Sequence, residues 1–520
     1  MRCHRRAMLG LLFGIFVCSA NGAVSKEGTG RFELGYVYTD EEGNLAVNQE
    51  THNLYDGLTI SLRDARYSLD NGINIGANLR YISLDNRNID FSASKAQLFS
   101  LSFHHDQYRR IYESGGRGST DRKSTGGQVS VSPVKYVTLF GGYSWTDKGG
   151  TNLFLFQPIS DPVVFTSDYT HRFFNIGGQG FFKGRSVRLE YRQSDFDDEA
   201  KGHGDRKGQM FRTSASTPFP RYERVVLAGG YDYRLDEMEG SSVELETNQA
   251  WGATKARLPG QITVDYRFVF ARTDHKGNGI ETDNFLNTVS VGRRWNRHGG
   301  FRVGYENRIV DDLIDRSESN GFLFSGWINY LDKLFVRTST ATRDKNIVTG
   351  STLIGDEDFT RYRVAARYVD ERFGELSAQV RARVKENDDI GSEAEYTSFS
   401  TGFKLSRQKY GRLSIFYTYY VGEYESRSAD FELSDHVVRG KITPVKYRKV
   451  SVTAGGTYYR SRRDLDVEKS SLNLGISYEL PEDFHVEAKY SVFNYDDFQA
   501  IDLFYTGNVV EVSIARDFSI

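Results

Sequence analysis

The feature that most constrains this chain is an alternation of apolar and polar residues, recurring in segments of about ten from Arg31 onward. In 376–385, Leu376, Ala378, Val380, Ala382 and Val384 oppose Ser377, Gln379, Arg381, Arg383 and Lys385. In 262–272, Ile262, Val264, Tyr266, Phe268 and Phe270 oppose Thr263, Asp265 and Arg267; in 484–492, Phe484, Val486, Ala488, Tyr490 and Val492 oppose His485, Glu487, Lys489 and Ser491. A helix would scatter these charges around its circumference, whereas a strand gathers them on one side. The C-terminal segment repeats the pattern. Val510, Val512, Ile514, Phe518 and Ile520 form an oily face against Glu511, Ser513, Ala515, Asp517 and Ser519. Arg516 is the exception, and near a strand end it can snorkel to the interface.

Segment 1–23 has a basic start (Arg2, Arg5, Arg6), an apolar core from Ala7 to Val17 and small residues at Ser19, Ala20 and Ala23, and is expected to be a secretory signal peptide. Acylation at Cys18 is the competing expectation, opposed by the bulk of Val17. Both cysteines, Cys3 and Cys18, lie in this segment, so cleavage leaves no disulfide, thiolate metal site or cysteine nucleophile.

The remainder, 24–520, is long enough for about three soluble domains, but composition opposes that. Hydrophobic residues make up 38% and mean hydropathy is −0.52, yet the chain carries 32 Tyr, 35 Phe and 51 Gly with only 8 Pro. Low hydropathy with many rings suits a transmembrane barrel, where every second residue touches lipid and aromatics gather at the interfaces. No run beyond the first segment approaches the roughly 18 apolar residues of a membrane helix. A membrane crossing must therefore be a closed sheet.

Short connections are expected near Pro133, Lys183, Pro218, Pro259, Arg297, Asp332, Arg372, Lys409, Pro444 and Pro481, alternating with longer ones such as 40–54, 147–169, 195–206 and 310–320. No proline falls inside a candidate strand, as ladder hydrogen bonding demands. Many long connections are acidic, through solvation or through contact with divalent cations or basic partners. A tight external turn at 85–88 makes the alternation regular and the count even, about 26. The expected fold is thus all-β: one transmembrane antiparallel up-and-down β-barrel domain, with short periplasmic turns, long external loops and no plug domain. The final strand resembles the closing strand of bacterial outer-membrane barrels, except that it ends in Ile520 rather than Phe. The expected location is the outer membrane, with outer-membrane lipid against the oily face.

Such a barrel encloses a lumen far wider than a porin's, and large transporters plug theirs. Fewer than about ten residues separate Ala23 from the first strand, so the expected filler is inward folding of a long connection such as 147–167, or a separate protein. By alternation the lumen is lined by Arg188, Glu190, Arg192, Arg361, Arg363, Arg367, Arg381, Arg383, Lys385, Glu487 and Lys489. So many charges require water or a polar partner surface. Ordinary porin lining also satisfies that requirement.

A more specific likeness lies near the N terminus. Asn53-Leu54-Tyr55-Asp56-Gly57, Ser61-Leu62, Arg66-Tyr67, Asn71-Gly72, Ala77-Asn78-Leu79-Arg80 with Leu84, Asn86-Arg87-Asn88 and Tyr108-Arg109-Arg110-Ile111-Tyr112 resemble the N-terminal barrel segment of porin–cytochrome conduits of metal-reducing and iron-oxidising bacteria. The resemblance spans about sixty residues. It implies a barrel that sheathes a periplasmic multihaem c-type cytochrome and docks an extracellular one, for electron transfer across the outer membrane. Some members carry a CxxC pair after the signal, which this chain lacks; that leaves the subgroup open.

No CxxCH occurs, so the chain is expected to bind no cofactor itself, with haem c on its partners. His104 and His105 are strand neighbours on opposite faces, and no nucleophile elbow, phosphate loop or zinc spacing appears. No enzyme activity is expected, and a formal net charge of −2 argues against nucleic acid. A large diffusion porin without a cytochrome partner is the alternative.

Overall fold

The computed structural model describes residues 27–112, 118–154, 163–200, 204–219, 222–239, 244–277, 279–312, 316–349, 357–387, 391–407, 411–427, 430–500 and 503–519. Segment 1–23, Ile520 and the middle of 147–167 lie outside them. The described residues form a single antiparallel sheet of 26 strands. It starts with β1 (Glu27–Gly43), β2 (Gly57–Ser68), β3 (Ile73–Arg80), β4 (Asn88–Lys95) and β5 (Phe99–Ile111). Each later strand pairs with its sequence neighbours, and β26 (Tyr505–Ser519) returns to β1 over Thr29↔Ser519 to Gly43↔Tyr505. The sheet is therefore closed, the one arrangement that satisfies every backbone group within lipid. Every described strand belongs to this wall, and no separate domain stands inside it among the described residues. With strands about 4.8 Å apart and tilted about 40°, such a ring is about 50 Å across.

The alternation sets the two faces. On β1, Phe32, Leu34, Tyr36 and Tyr38 are exposed outward, and the opposite set contains Glu33, which is only 2% exposed. On β26 the outward set is Val510, Val512 and Ile514, with Ser513 and Ala515 buried on the inner side. Arg516 stacks over the Phe484 ring, 5.0 Å to the centroid, so the exceptional charge on the oily side is covered by an aromatic neighbour. Phe518 packs where Gly30 leaves space, since a Cβ there would lie 2.5 Å from its ring.

Turn chemistry closes the hairpins at the N-terminal end of β1. Between β8 (Val163–Phe182) and β9 (Arg185–Asp198), Lys183 and Gly184 have φ of 47° and 78°, the paired positive values of a type I′ turn. Pro133 and Pro218 lie inside the last residues of β6 (Ser119–Val134) and β10 (Arg206–Phe219) rather than in turns. Both coincide with register shifts, between Val131 and Val134 and between Pro218 and Phe219, which release the ladder bonds that proline cannot make.

Two further expectations are corrected. The external connections are shorter than the alternation suggested, because the strands stay paired past the roughly 9–11 residues of a membrane crossing. β7 (Val137–Phe154) and β8, for example, occupy most of 147–169. The connection between β3 and β4 is also not a tight turn at 85–88. It runs from Tyr81 to Arg87, and Ile82 donates its amide to the Ile60 carbonyl of β2 at 3.1 Å. Tyr81 adopts φ of 50°, its amide donates to Ser61 Oγ at 3.1 Å, and its hydroxyl donates to Glu511 Oε1 of β26 at 3.3 Å. This connection therefore lies against the inner face of the wall. Local charge patterns carry no signal for that path, which depends on partners more than 400 positions away.

Candidate functional site: the charged lumen wall

The inner face carries the chemistry, and the lining charges expected from the sequence fall into three groups on it. Where β25 (Phe484–Asp497), β26, β1 and β2 meet, Arg31 bonds Glu487, Arg63 lies 2.9 Å from Glu33, and Lys489 lies 3.4 Å from Glu511. His485 Nε2 is 2.8 Å from Asp517. Glu487 and Lys489, expected from the sequence, are thus members of a network at the closure of the barrel. Glu511 and Asp517, placed on the polar face of the final strand by alternation, belong to it as well, and Arg31, Glu33 and Arg63 complete it and were not anticipated. Parity could have found them: once Phe32, Leu34 and Tyr36 face lipid, Arg31 and Glu33 must face inward.

The second group lies on β9 to β11 (Tyr222–Met238). Glu190, 3% exposed, is held between Arg188 at 2.9 Å and Arg192 at 2.7 Å. Arg212 on β10 forms a paired contact with Asp232 on β11, Nε to Oδ1 at 2.9 Å and Nη2 to Oδ2 at 3.2 Å. Arg188 also stacks over Phe140, 4.8 Å to the ring centroid.

The third group is on β17 (Leu334–Thr349), β18 (Glu357–Asp370) and β19 (Gly374–Asn387). Tyr362 and Val364 face outward on β18 and Leu376 and Val380 on β19, so Arg361, Arg363, Arg367, Arg381, Arg383 and Lys385 face inward. Register places Arg361 opposite Arg383 and Arg363 opposite Arg381.

Part of the N-terminal resemblance, residues 52–56, Asn86 and Arg109, meets at the opposite rim from the hairpin turns, whereas Asn71 and Gly72 lie in the turn between β2 and β3. Arg109 of β5 donates through Nε to the His52 carbonyl at 2.8 Å and through Nη2 to the Leu54 carbonyl at 3.0 Å. Its guanidinium lies 4.3 Å from the Tyr55 ring centroid, and its amide donates to Asn53 Oδ1 at 3.2 Å. Asn86 donates to the Asn53 carbonyl at 2.8 Å, while Asp56 accepts from the Thr39 hydroxyl at 2.7 Å. His52 is 1% exposed, with Nε2 3.2 Å from the Leu45 carbonyl; burial holds its pKa below the ordinary value of 6.5. Tyr505 anchors the same unit, fully buried, its hydroxyl 2.7 Å from Glu41 Oε1 and 2.8 Å from Thr51 Oγ1. Among the described residues no group of acidic, histidine or cysteine side chains has the arrangement of a metal site. His105 instead bonds Thr125 Oγ1 at 2.7 Å.

No protein-family model matches this sequence, and neither does any curated protein. Solved structures do match in fold. The siderophore receptor PirA from Pseudomonas aeruginosa aligns with a TM-score of 0.51 at 11% identity, over 83% of this chain and 86% of that one. A mutant of the ferric enterobactin receptor PfeA from Pseudomonas aeruginosa aligns with a TM-score of 0.53 at 9% identity, over 96% and 81%. PirA from Acinetobacter baumannii gives 0.51 at 9%, over 95% and 81%. At these identities the likeness establishes the fold alone: this chain is a large closed β-barrel with the fold of outer-membrane barrels.

Proposed function

We propose that this barrel sheathes and positions multihaem c-type cytochromes, one held in the lumen and one docked on the external connections, so that electrons cross the outer membrane. The observation that carries the proposal is the convergence of the resemblance residues. Asn53, Leu54, Asn86 and Arg109, spread along the sequence, form one hydrogen-bonded unit, with Tyr55 stacked against the Arg109 guanidinium. Their grouping in one folded unit is what supports the reading. A ring about 50 Å across with a charged inner face suits an occupant of protein size and polar surface. The chain has no CxxCH, so the redox groups belong to its partners. Uptake of an iron chelate, suggested by the names of the receptors, rests on the shared wall alone.

The test is purification from native membranes in mild detergent. A red complex containing c-type cytochromes, lost when this chain is deleted, is the expected result. A colourless barrel that conducts ions in planar bilayers would overturn the proposal in favour of a large diffusion porin.

A further inference from the structure

On several stretches of the lumen wall basic side chains meet carboxylates. Asp265 faces Lys255 at 3.7 Å and also bonds Arg302, and Glu306 holds Arg343 at 2.9 Å. The strip on β17 to β19 departs from this. Arg361 opposite Arg383 and Arg363 opposite Arg381 are like charges in direct register, an unfavourable arrangement. Arg337 and Arg367 extend the same face. Among the described residues none of these arginines forms an ion pair; Glu306 and Glu357 are engaged by Arg343 and Lys385. What they do contact is neutral. Gln379 Oε1 accepts from Arg363 Nε at 3.1 Å, from Arg363 Nη2 at 2.8 Å and from Arg381 Nη2 at 3.4 Å, and Arg383 lies over the Phe359 ring at 5.0 Å. Among the described residues most of the strip's N–H donors have no protein acceptor.

The same fold neutralises its charges at the closure and on β9 to β11, so an unneutralised strip is a local departure with a cost. We propose that it is an anion-receiving surface that holds carboxylates on an acidic face of the protein occupying the lumen. This rests on the sheath function and adds to it the side of the wall against which the occupant sits. Guanidinium forks match carboxylates in paired hydrogen bonds, which a lysine strip would not do. The size of the strip favours a protein face over a small anion. Positions 361 to 367 span about 20 Å at roughly 3.3 Å per residue, and the strands of the strip cover about 10 Å across.

The probe is fluorescent poly-L-glutamate, added at low salt to the full-length barrel expressed without partners. Binding that weakens with salt is expected for the wild type. R363Q/R381Q/R383Q should weaken it about tenfold, while R302Q, from the neutralised wall, changes it less than about twofold. Heat-modifiable migration of each variant confirms that the barrel has formed. In the native complex, the triple variant should release cytochrome at lower salt than the wild type. A wild-type barrel that does not bind the probe, or a triple variant that binds it equally, overturns the strip. Cytochrome retention that is unchanged in the triple variant also overturns it while leaving the sheath standing. A wild-type complex without haem protein overturns both.

Discussion

Replacing Arg63 with Ala removes the partner of Glu33, a carboxylate almost fully buried in the lumen wall. Glu33 is 2% exposed and lies 2.9 Å from Arg63 Nε, and Arg63 itself is 26% exposed. Truncating one member of a fully buried pair costs about 3–5 kcal/mol, because the other charge is left without compensation. Here the guanidinium reaches the lumen, so water screens part of that interaction and about 2 kcal/mol is the working figure. That corresponds to about a thirtyfold fall in the folded to unfolded ratio. Glu33→Gln should cost less, about 1 kcal/mol, because the freed arginine can turn toward the lumen. The pair lies where β1 is bonded to both β2 and β26, so the loss should appear as a lower urea midpoint for the heat-modifiable band. In a double-mutant cycle with Glu33→Gln/Arg63→Ala, a coupling of about 1–2 kcal/mol is expected. A single Arg63→Ala change within about 0.5 kcal/mol of wild type, or additive effects in the cycle, would refute the assignment.

Other outcomes follow from the rim and the turns. Arg109→Met should release the connection between β1 and β2, at a local cost of about 2 kcal/mol for the lost charge-assisted bonds to the His52 and Leu54 carbonyls, seen as faster proteolysis between Gly43 and Gly57. For His52, folding depresses the pKa below 6.5, so the unfolded connection binds more protons; protection is full above that value and falls as pH drops through the folded pKa. Hydrogen exchange at pH 7.5 and pH 5 should show this loss, and His52→Gln should remove the pH dependence. Gly43 has φ of 93°, and a Cβ there would lie 2.3 Å from the Phe504 carbonyl oxygen. Gly43→Val should therefore cost about 1–3 kcal/mol, read as loss of protection at the Asn44 amide, which donates to that oxygen at 2.7 Å.

The sides of the wall were legible in the sequence, because strand periodicity assigns alternate residues to lipid and lumen without knowledge of neighbours. Val510, Val512 and Ile514 declare one face of β26 on their own, and even parity leads to a closed ring. Strand ends were less legible, since hydrogen bonding continues where hydrophobic alternation stops; β7 and β8 show this. Periodicity also placed Arg363 and Arg381 inside, but that they stand opposite one another follows from strand register. It likewise placed Glu487 and Lys489 inside without revealing Arg31 or Glu511 as their partners.

From the sequence alone come the class of fold, the closure and the polarity of the lumen, all consequences of local geometry repeated along the chain. Only the tertiary structure decided which charges neutralise one another, which stay unpaired on β17 to β19, and that Tyr81–Arg87 folds against the inner wall. Those outcomes depend on cross-strand register and on contacts such as Tyr81 to Glu511, 430 residues apart, which no local pattern encodes.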